Sequence, residues 1–140
     1  MEMIKIITGF QEHADILYAM LQQKTHVISH HAMPSYEDHI DFIRNNPYRT
    51  WYLVKSNDRY VGHVYLLDQN NTMGLVFNNP KQEEVKFAID YLKANYDPLP
   101  AIRSVRTSYF IVNIAPTNEK LAQIINDLEG EAIQTTYILK

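Results

Sequence analysis

Residues 50–77 read TWYLVKSNDRYVGHVYLLDQNNTMGLVF, and this stretch decides the fold class. It holds three apolar runs rich in β-branched and aromatic residues, separated by short polar connections that contain Asn and Asp. Such runs favour strands, and connections this short join neighbouring strands that run in opposite directions. The stretch therefore predicts an antiparallel meander of Thr50–Lys55, Tyr60–Leu67 and Met73–Phe77.

Helical and extended patterns flank the meander on both sides. Apolar residues spaced three and four apart predict helices, and alternating runs predict strands. The predicted helices are Gln11–Thr25, a helix capped by Ser35 that ends before Pro47, Lys81–Asn95, and a helix that begins at Thr117 or Asn118 and ends at Gly130. The predicted additional strands are Met3–Ile7, Tyr109–Ile114 and Ala132–Leu139.

This order of elements predicts one α/β domain over residues 1–140, with a mixed sheet of the α+β kind. A strand, a helix and a strand in succession normally form a crossover between parallel neighbours. We therefore expect Met73–Phe77 and Tyr109–Ile114 to be parallel, adjacent and splayed at their carboxyl ends. The whole chain would form a central sheet of about six to seven strands with helices on both faces.

Composition excludes several classes of function. The chain has no cysteine, so a disulfide framework, a thiolate nucleophile and a Cys-ligated zinc site are excluded. Its net charge is −3 with acids and bases interspersed, which indicates neither nucleic acid nor an acidic membrane as a partner. The first residues, MEMIKIITGF, lack a basic segment followed by a long apolar stretch, so we expect no signal peptide, and no apolar run is long enough to span a bilayer. We expect a cytoplasmic protein.

Four segments resemble parts of small bacterial GNAT acetyltransferases. They are MPSYEDHIDFIRNNPYRTWYLV (33–54), YVGHVYLL (60–67), NIAPTNEK (113–120) and AIQTTYIL (132–139). The first two are similar to the acceptor-side helices and the meander, with a Val-Gly pair on the third strand. The last two are similar to the end of the family's domain, where an Asn after a Pro opens the final helix. The resemblance covers nearly the whole chain.

The resemblance implies transfer of an acyl group from acetyl-CoA to a small primary amine. The backbone of Val76, Phe77 and Asn78 would hold the pantetheine arm. Lys81 and Gln82 would lie at the pyrophosphate loop, and Gln82 takes the place of the family's Gln or Arg. The cofactor cleft would also be lined by Asn113 and Asn118.

The expected phosphate-binding loop departs from the family pattern. Residues 78–85 read NNPKQEEV and contain no glycine, which is the residue that lets a backbone approach a phosphate closely. Pro80 removes one amide, and Glu83 and Glu84 place negative charge in the first turn of the helix that follows. These residues favour a capped helix start over a phosphate cradle.

The last helix also departs from the family. Ile125 stands where relatives often carry a tyrosine that protonates the leaving thiolate, and isoleucine has no proton to donate. Tyr109 and Tyr137 carry hydroxyl groups and lie on neighbouring predicted strands. We interpret both as buried, hydrogen-bonded structural residues.

Histidines supply the remaining polar chemistry, on the acceptor side. His30 or Glu37 is the candidate catalytic group near the acceptor amine, since a histidine titrates near neutral pH. Solvated loop histidines are the alternative interpretation. We predict no metal site, because adjacent histidines rarely face one ion and the helical i, i+4 spacing is missing.

Two functions remain open at this point. One is an acyl-CoA-dependent N-acyltransferase whose partner is a small amine, and the other is a GNAT scaffold without CoA chemistry that binds a ligand or a protein. The overall resemblance favours the enzyme, whereas the glycine-free loop favours the binding module. The sequence also permits a homodimer.

Overall fold

The computed structural model describes residues 1–24 and 33–140, and these form four strands and four helices. The strands are β1 (Glu2–Lys5), β2 (Tyr48–Ser56), β3 (Arg59–Leu67) and β4 (Met73–Phe77). The helices are α1 (Gln11–Gln22), α2 (Tyr36–Arg44), α3 (Gln82–Asn95) and α4 (Glu119–Asp127). Among the helices described, none has the length and apolarity that crossing a membrane requires.

The predicted meander is confirmed. The sheet has the order β1-β2-β3-β4, and each neighbouring pair is antiparallel. Ser56 pairs with Arg59, so only Asn57 and Asp58 form the turn between β2 and β3. Both turn residues have positive φ, 51° and 59°. Two such residues form the type I′ turn, whose twist matches that of a hairpin, and Asn and Asp tolerate this conformation better than other side chains.

The prediction of a mixed sheet with six to seven strands is wrong for the described residues, which form one antiparallel sheet of four strands. The segment 109–114 makes a single parallel bridge, between Thr72 and Ile111, and no ladder. The segment 132–139 pairs with nothing described. The α+β class is nevertheless correct, and the crossover after β4 keeps its parallel sense at the one bridge.

The crossover segment is fastened by Asn71, a residue only 3% exposed. Its side-chain amide donates to the carbonyl oxygens of Leu99 (3.0 Å) and Thr107 (2.7 Å). Its Oδ1 accepts from the amide of Leu99 (2.6 Å), and its backbone carbonyl accepts from the amide of Ile111 (2.9 Å). These bonds satisfy backbone groups between α3 and α4 that no ladder satisfies, so a side chain replaces part of the missing strand pairing.

Helices cover both faces of the sheet. Neighbouring residues of a strand point to opposite faces, as Leu53 and Val54 do. Leu53 packs with buried residues of α1 and α2, including Leu17 and Ile43. Val54 lies in the other cluster, with residues of α3 and α4 that include Leu92. The sheet is therefore the middle layer of three.

Two of the helix starts are capped as their sequences suggest. The Ser35 side chain accepts from the amide of Asp38 at 3.1 Å and begins α2. The Asn118 side chain accepts from the amide of Leu121 at 3.4 Å and begins α4. Helix α3 differs, because its N-cap is Lys81 and no side chain caps it.

The end of the chain is exposed. Helix α4 ends at Asp127, and the left-handed residue after it is Glu129 (φ 70°), not the expected Gly130. Tyr137 is 81% exposed and Tyr109 is 75% exposed, so the interpretation of both as buried structural residues is wrong. The strands that were expected to bury them do not form.

Candidate functional site

A cleft of about 220 Å³ opens where β4 and the segment 109–118 diverge. The amide of Met73 donates to the carbonyl of Ile111 at 2.8 Å, which closes one end. Beyond that bond the two backbones share no further bridge among the described residues. The cleft is lined by Lys24, Tyr65, Gly74–Asn78, Asn113 and Asn118, with apolar residues beneath them.

The open edge of β4 presents backbone groups to this cleft. In an extended strand the backbone groups of alternate residues point to the same edge. Since the Met73 amide faces the segment 109–118, the amides and carbonyls of Leu75 and Phe77 face the same way. No hydrogen bond within the described chain reaches them on that side. A ligand with amide groups of its own is what such an edge can bind.

Most of the predicted cofactor residues come together here. Val76, Phe77, Asn78, Asn113 and Asn118 all line the cleft. By the alternation along β4, Phe77 and not Val76 directs its backbone amide and carbonyl toward the cleft.

The other predicted residues lie elsewhere. Lys81 lines a neighbouring hollow of about 280 Å³ beside α1, and Gln82 is exposed and lines neither space. Glu37 is exposed on the first turn of α2 and does not line the cleft. His30 lies outside the described residues.

Two residues of the cleft have no signal in the sequence. Lys24 follows the end of α1, and no described residue forms a hydrogen bond or ion pair with its ammonium group. Burial lowers its pKa, so its neutral form is easier to reach than that of a solvated lysine. Alternation along β3 could place Tyr65 on one face of the sheet, but it could not place the ring beside the cleft.

Gly74 explains the position of the Tyr65 ring. The two residues are cross-strand partners, and a Cβ at Gly74 would lie only 2.0 Å from Cζ of Tyr65. The ring therefore lies directly over the glycine, which any other residue would prevent. It stacks on the Tyr48 ring with 3.9 Å between centroids and 9° between planes. Burial raises the pKa of Tyr65, so this phenol keeps its proton at neutral pH and can act only as a donor or neutral acceptor.

His63 extends this aromatic group without serving as a base. The indole Nε1 of Trp51 donates to Nδ1 of His63 at 3.1 Å, which leaves the proton of the neutral ring on Nε2. Burial, with smaller contributions from the charges of Lys24 and His39, lowers the pKa of His63 to about 3. His63 is therefore neutral near pH 7 and positions Trp51.

The loop before α3 lacks the backbone geometry of a phosphate cradle. Such a cradle needs residues that alternate between right-handed and left-handed conformations, so that successive amides converge. None of residues 78–81 has a positive φ. Asn79 is instead bonded to Lys120 at 2.7 Å, which ties the loop to α4. Glu84, 5% exposed, lines the hollow beside Lys81, so an anion there would meet a carboxylate.

Comparison with known proteins supports the fold. A crystal structure described as that of a probable acetyltransferase matches 100% of this chain and 97% of its own, with 15% identity and a TM-score of 0.54. No family model matches the sequence. No curated protein matches it either. At this identity the likeness is one of fold.

Proposed function

We propose that this chain is an acyl-CoA-dependent N-acyltransferase that acts on a small primary amine. The observation that carries the proposal is the cleft between β4 and the segment 109–118, into which Leu75 and Phe77 direct unpaired backbone groups. A pantetheine arm carries two amides and is extended, so it can pair with this edge as an added strand would. The fold that the chain shares with a probable acetyltransferase agrees with this use of the cleft.

In this proposal the acceptor amine attacks the thioester carbonyl carbon, the C–S bond breaks, and a proton passes to the departing sulfur. Tyr65 takes the role of proton donor, because its phenol lies beside the cleft and is protonated at neutral pH. His30 and Glu37 remain the proposed groups on the acceptor side, where one of them would receive the proton of the amine.

The chain fits one half of acetyl-CoA and not the other. The β4 edge suits the pantetheine arm, whereas the loop 78–81 has no glycine and no left-handed residue with which to hold a diphosphate. Each charge-assisted hydrogen bond lost at the diphosphate weakens binding by about 1.5–3 kcal/mol. We therefore expect no saturable acetyl-CoA binding below roughly 1 mM, an affinity of about −4 kcal/mol.

Calorimetric titrations with acetyl-CoA and with acetyl-pantetheine test this proposal. We expect the two ligands to bind with equal affinity within a factor of about three, since the nucleotide adds little. Thiol release with a panel of small amines should accompany binding. The Tyr65→Phe variant should lose this activity, and Tyr60→Phe on the same strand should retain it. Binding of neither ligand, or release of no thiol with any amine, would contradict the enzyme.

A second function is favoured by the loop alone. A GNAT scaffold without CoA chemistry would use the same cleft for another ligand or for a protein, and it would have no need of glycine amides near α3. Binding of acetyl-CoA at micromolar concentration would exclude this alternative. It would also show that phosphate is held by a route other than glycine amides.

A further inference from the structure

Lys24 brings a primary amine to the cleft between β4 and the segment 109–118. Its backbone is held at the end of α1, because its amide donates to the carbonyl of Leu21 at 3.2 Å. The last turn of α1 is in turn joined to the end of β4, where the side-chain amide of Asn78 donates to the carbonyl of Met20 at 3.3 Å. These two hydrogen bonds keep the Lys24 side chain beside the space in which a ligand of the β4 edge would lie.

The surroundings of Lys24 favour its neutral, nucleophilic form. Within residues 1–24 and 33–140, no carboxylate forms an ion pair with its ammonium group. Lys86 differs, because it is exposed on α3 and paired with Asp90. Burial lowers the pKa of Lys24, so a larger share of this amine is neutral at a given pH than in an ordinary solvated lysine. A neutral amine can attack a carbonyl carbon, whereas an ammonium group cannot.

The Lys24 amine and the Tyr65 phenol border one space. Both residues line the cleft. His63 lies two residues before Tyr65 on β3, so the two rings point to the same face of the sheet. The positive charge of Lys24 contributes to the lowered pKa of His63, and such an influence weakens with distance. The ammonium group therefore lies near the face of β3 that carries both rings.

We propose that Lys24 is itself an acyl acceptor, to which the chain transfers the acetyl group of a pantetheine thioester bound along β4. This inference rests on the proposed acyltransferase function and adds a substrate to it, a lysine of the same chain. The neutral Nζ of Lys24 attacks the thioester carbonyl carbon, so that a C–N bond forms and the C–S bond breaks. Tyr65 gives its phenolic proton to the departing sulfur, and the proton lost by the nitrogen restores the phenol through water. The products are N-acetylated Lys24 and a free thiol.

Transfer to Lys24 requires less of the site than transfer to a free amine. A free amine has to be bound and oriented together with the thioester, whereas the Lys24 side chain is already attached beside the β4 edge. Placing both reactants in one structure turns a bimolecular step into a unimolecular one, which lowers its entropic barrier. A donor that binds only weakly, as we expect for acetyl-CoA here, can therefore still modify Lys24.

Peptide mapping by mass spectrometry, after incubation with millimolar acetyl-pantetheine, tests this inference. We expect acetylation at Lys24 to be at least about 100-fold faster than at Lys86, which is the gain that a positioned proton donor gives. The rate per chain should not change when the protein is diluted, because donor site and acceptor belong to one chain. Tyr65→Phe keeps the ring over Gly74 and should slow acetylation at Lys24 about 100-fold, without changing that at Lys86.

Two matched variants complete the test. Lys24→Arg should abolish the rapid acetylation, and Lys86→Arg should retain it. Equal rates at Lys24 and Lys86 in the native chain, or a rate per chain that falls on dilution, would overturn the inference. If thiol release with free amines continues while Lys24 stays unmodified, self-acetylation fails and the acyltransferase stands. If no amine releases thiol and Lys24 stays unmodified, both fail.

Discussion

The hairpin β2–β3 and the segment 109–114 are both extended and partly apolar, yet only the first belongs to a ladder. The strands of the hairpin are separated by the two residues Asn57 and Asp58 and pair from Ser56–Arg59 to Tyr48–Leu67, with two irregularities in register. The segment 109–114 follows β4 only after α3 and the stretch 97–108, and one bridge joins it to Thr72. Contacts that are distant in sequence cost more closure entropy, so other interactions must decide whether they form. In this chain the side chain of Asn71 holds the stretch that leads to the segment, at Leu99 and Thr107.

The largest effect is expected in the sheet itself. Leu53 on β2 is 0% exposed and packs against α1 and α2, so Leu53→Ala leaves a cavity. We expect the free energy of unfolding in urea to fall by about 2–5 kcal/mol. Val105→Ala, at a position 74% exposed in the crossover, should change it by less than about 0.5 kcal/mol. If Leu53→Ala and Val105→Ala lowered the free energy of unfolding by similar amounts, the hairpin would not be more tightly packed than the crossover.

The attachment of the crossover is tested at Asn71. Asn71→Ala removes three side-chain hydrogen bonds and leaves backbone groups of Leu99 and Thr107, which are partly buried at these bonds, without those partners. At about 1 kcal/mol for each bond, we expect a loss of roughly 2–4 kcal/mol in urea unfolding. Amide exchange should quicken at Ile111 before it quickens on β2. Asn79→Ala, which removes one exposed bond to Lys120, is the control, and equal losses would contradict the role of Asn71.

The pH dependence of the free energy of unfolding tests the environment of His63, which contacts Trp51 on β2. The pKa of His63 is about 3 in the folded chain and about 6.5 when unfolded, so below pH 6.5 the unfolded state binds the additional proton. The free energy of unfolding is therefore unaffected by protonation of His63 above pH 6.5, and it decreases as the pH falls from 6.5 toward 3. The slope should reach about 1.4 kcal/mol per pH unit, with a change in Trp51 fluorescence as its indole bond is broken.

The His63→Asn variant separates this contribution from that of the carboxylates. Asparagine can still accept from Trp51 but does not titrate, so its unfolding free energy should fall less steeply between pH 6.5 and 5 than that of the native chain. Parallel pH profiles for the two proteins would show that His63 is not the group responsible.

The smallest effect compares two helix starts. Asn118 caps α4, so Asn118→Ala should lower the free energy of unfolding in urea. We expect a loss of about 0.5–1 kcal/mol, a modest value for a cap because the hydrogen bond is 3.4 Å long. Lys81 occupies the same position in α3 without a side-chain cap, and Lys81→Ala should be neutral within about 0.5 kcal/mol. If Lys81→Ala lowered the free energy of unfolding more than Asn118→Ala, the conclusion that only α4 of these two helices has a side-chain cap would be wrong.

Part of the site was within reach of the sequence. The resemblance noted in the sequence pointed to Val76, Phe77, Asn78, Asn113 and Asn118, and all five line the cleft. Their role as cofactor contacts stays a prediction. Lys24 and Tyr65 were not identified, because their places depend on how α1 and Gly74 pack. That packing cannot be predicted from any pattern of residues in the sequence.

What the sequence determined by itself is local. The turn at Asn57 and Asp58, the strands β2 and β3, and the cap at Ser35 depend on a few neighbouring residues, and the sequence predicted them within a residue or so. For α4 it predicted a start at Thr117 or Asn118, and the cap is Asn118. What only the tertiary structure decided is whether distant extended segments join the sheet. Residues 109–114 and 132–139 have strand composition, but a strand needs a partner edge, and composition does not supply one. In the described structure the first segment meets the sheet at one bridge, between Thr72 and Ile111, beside the bonds that Asn71 makes.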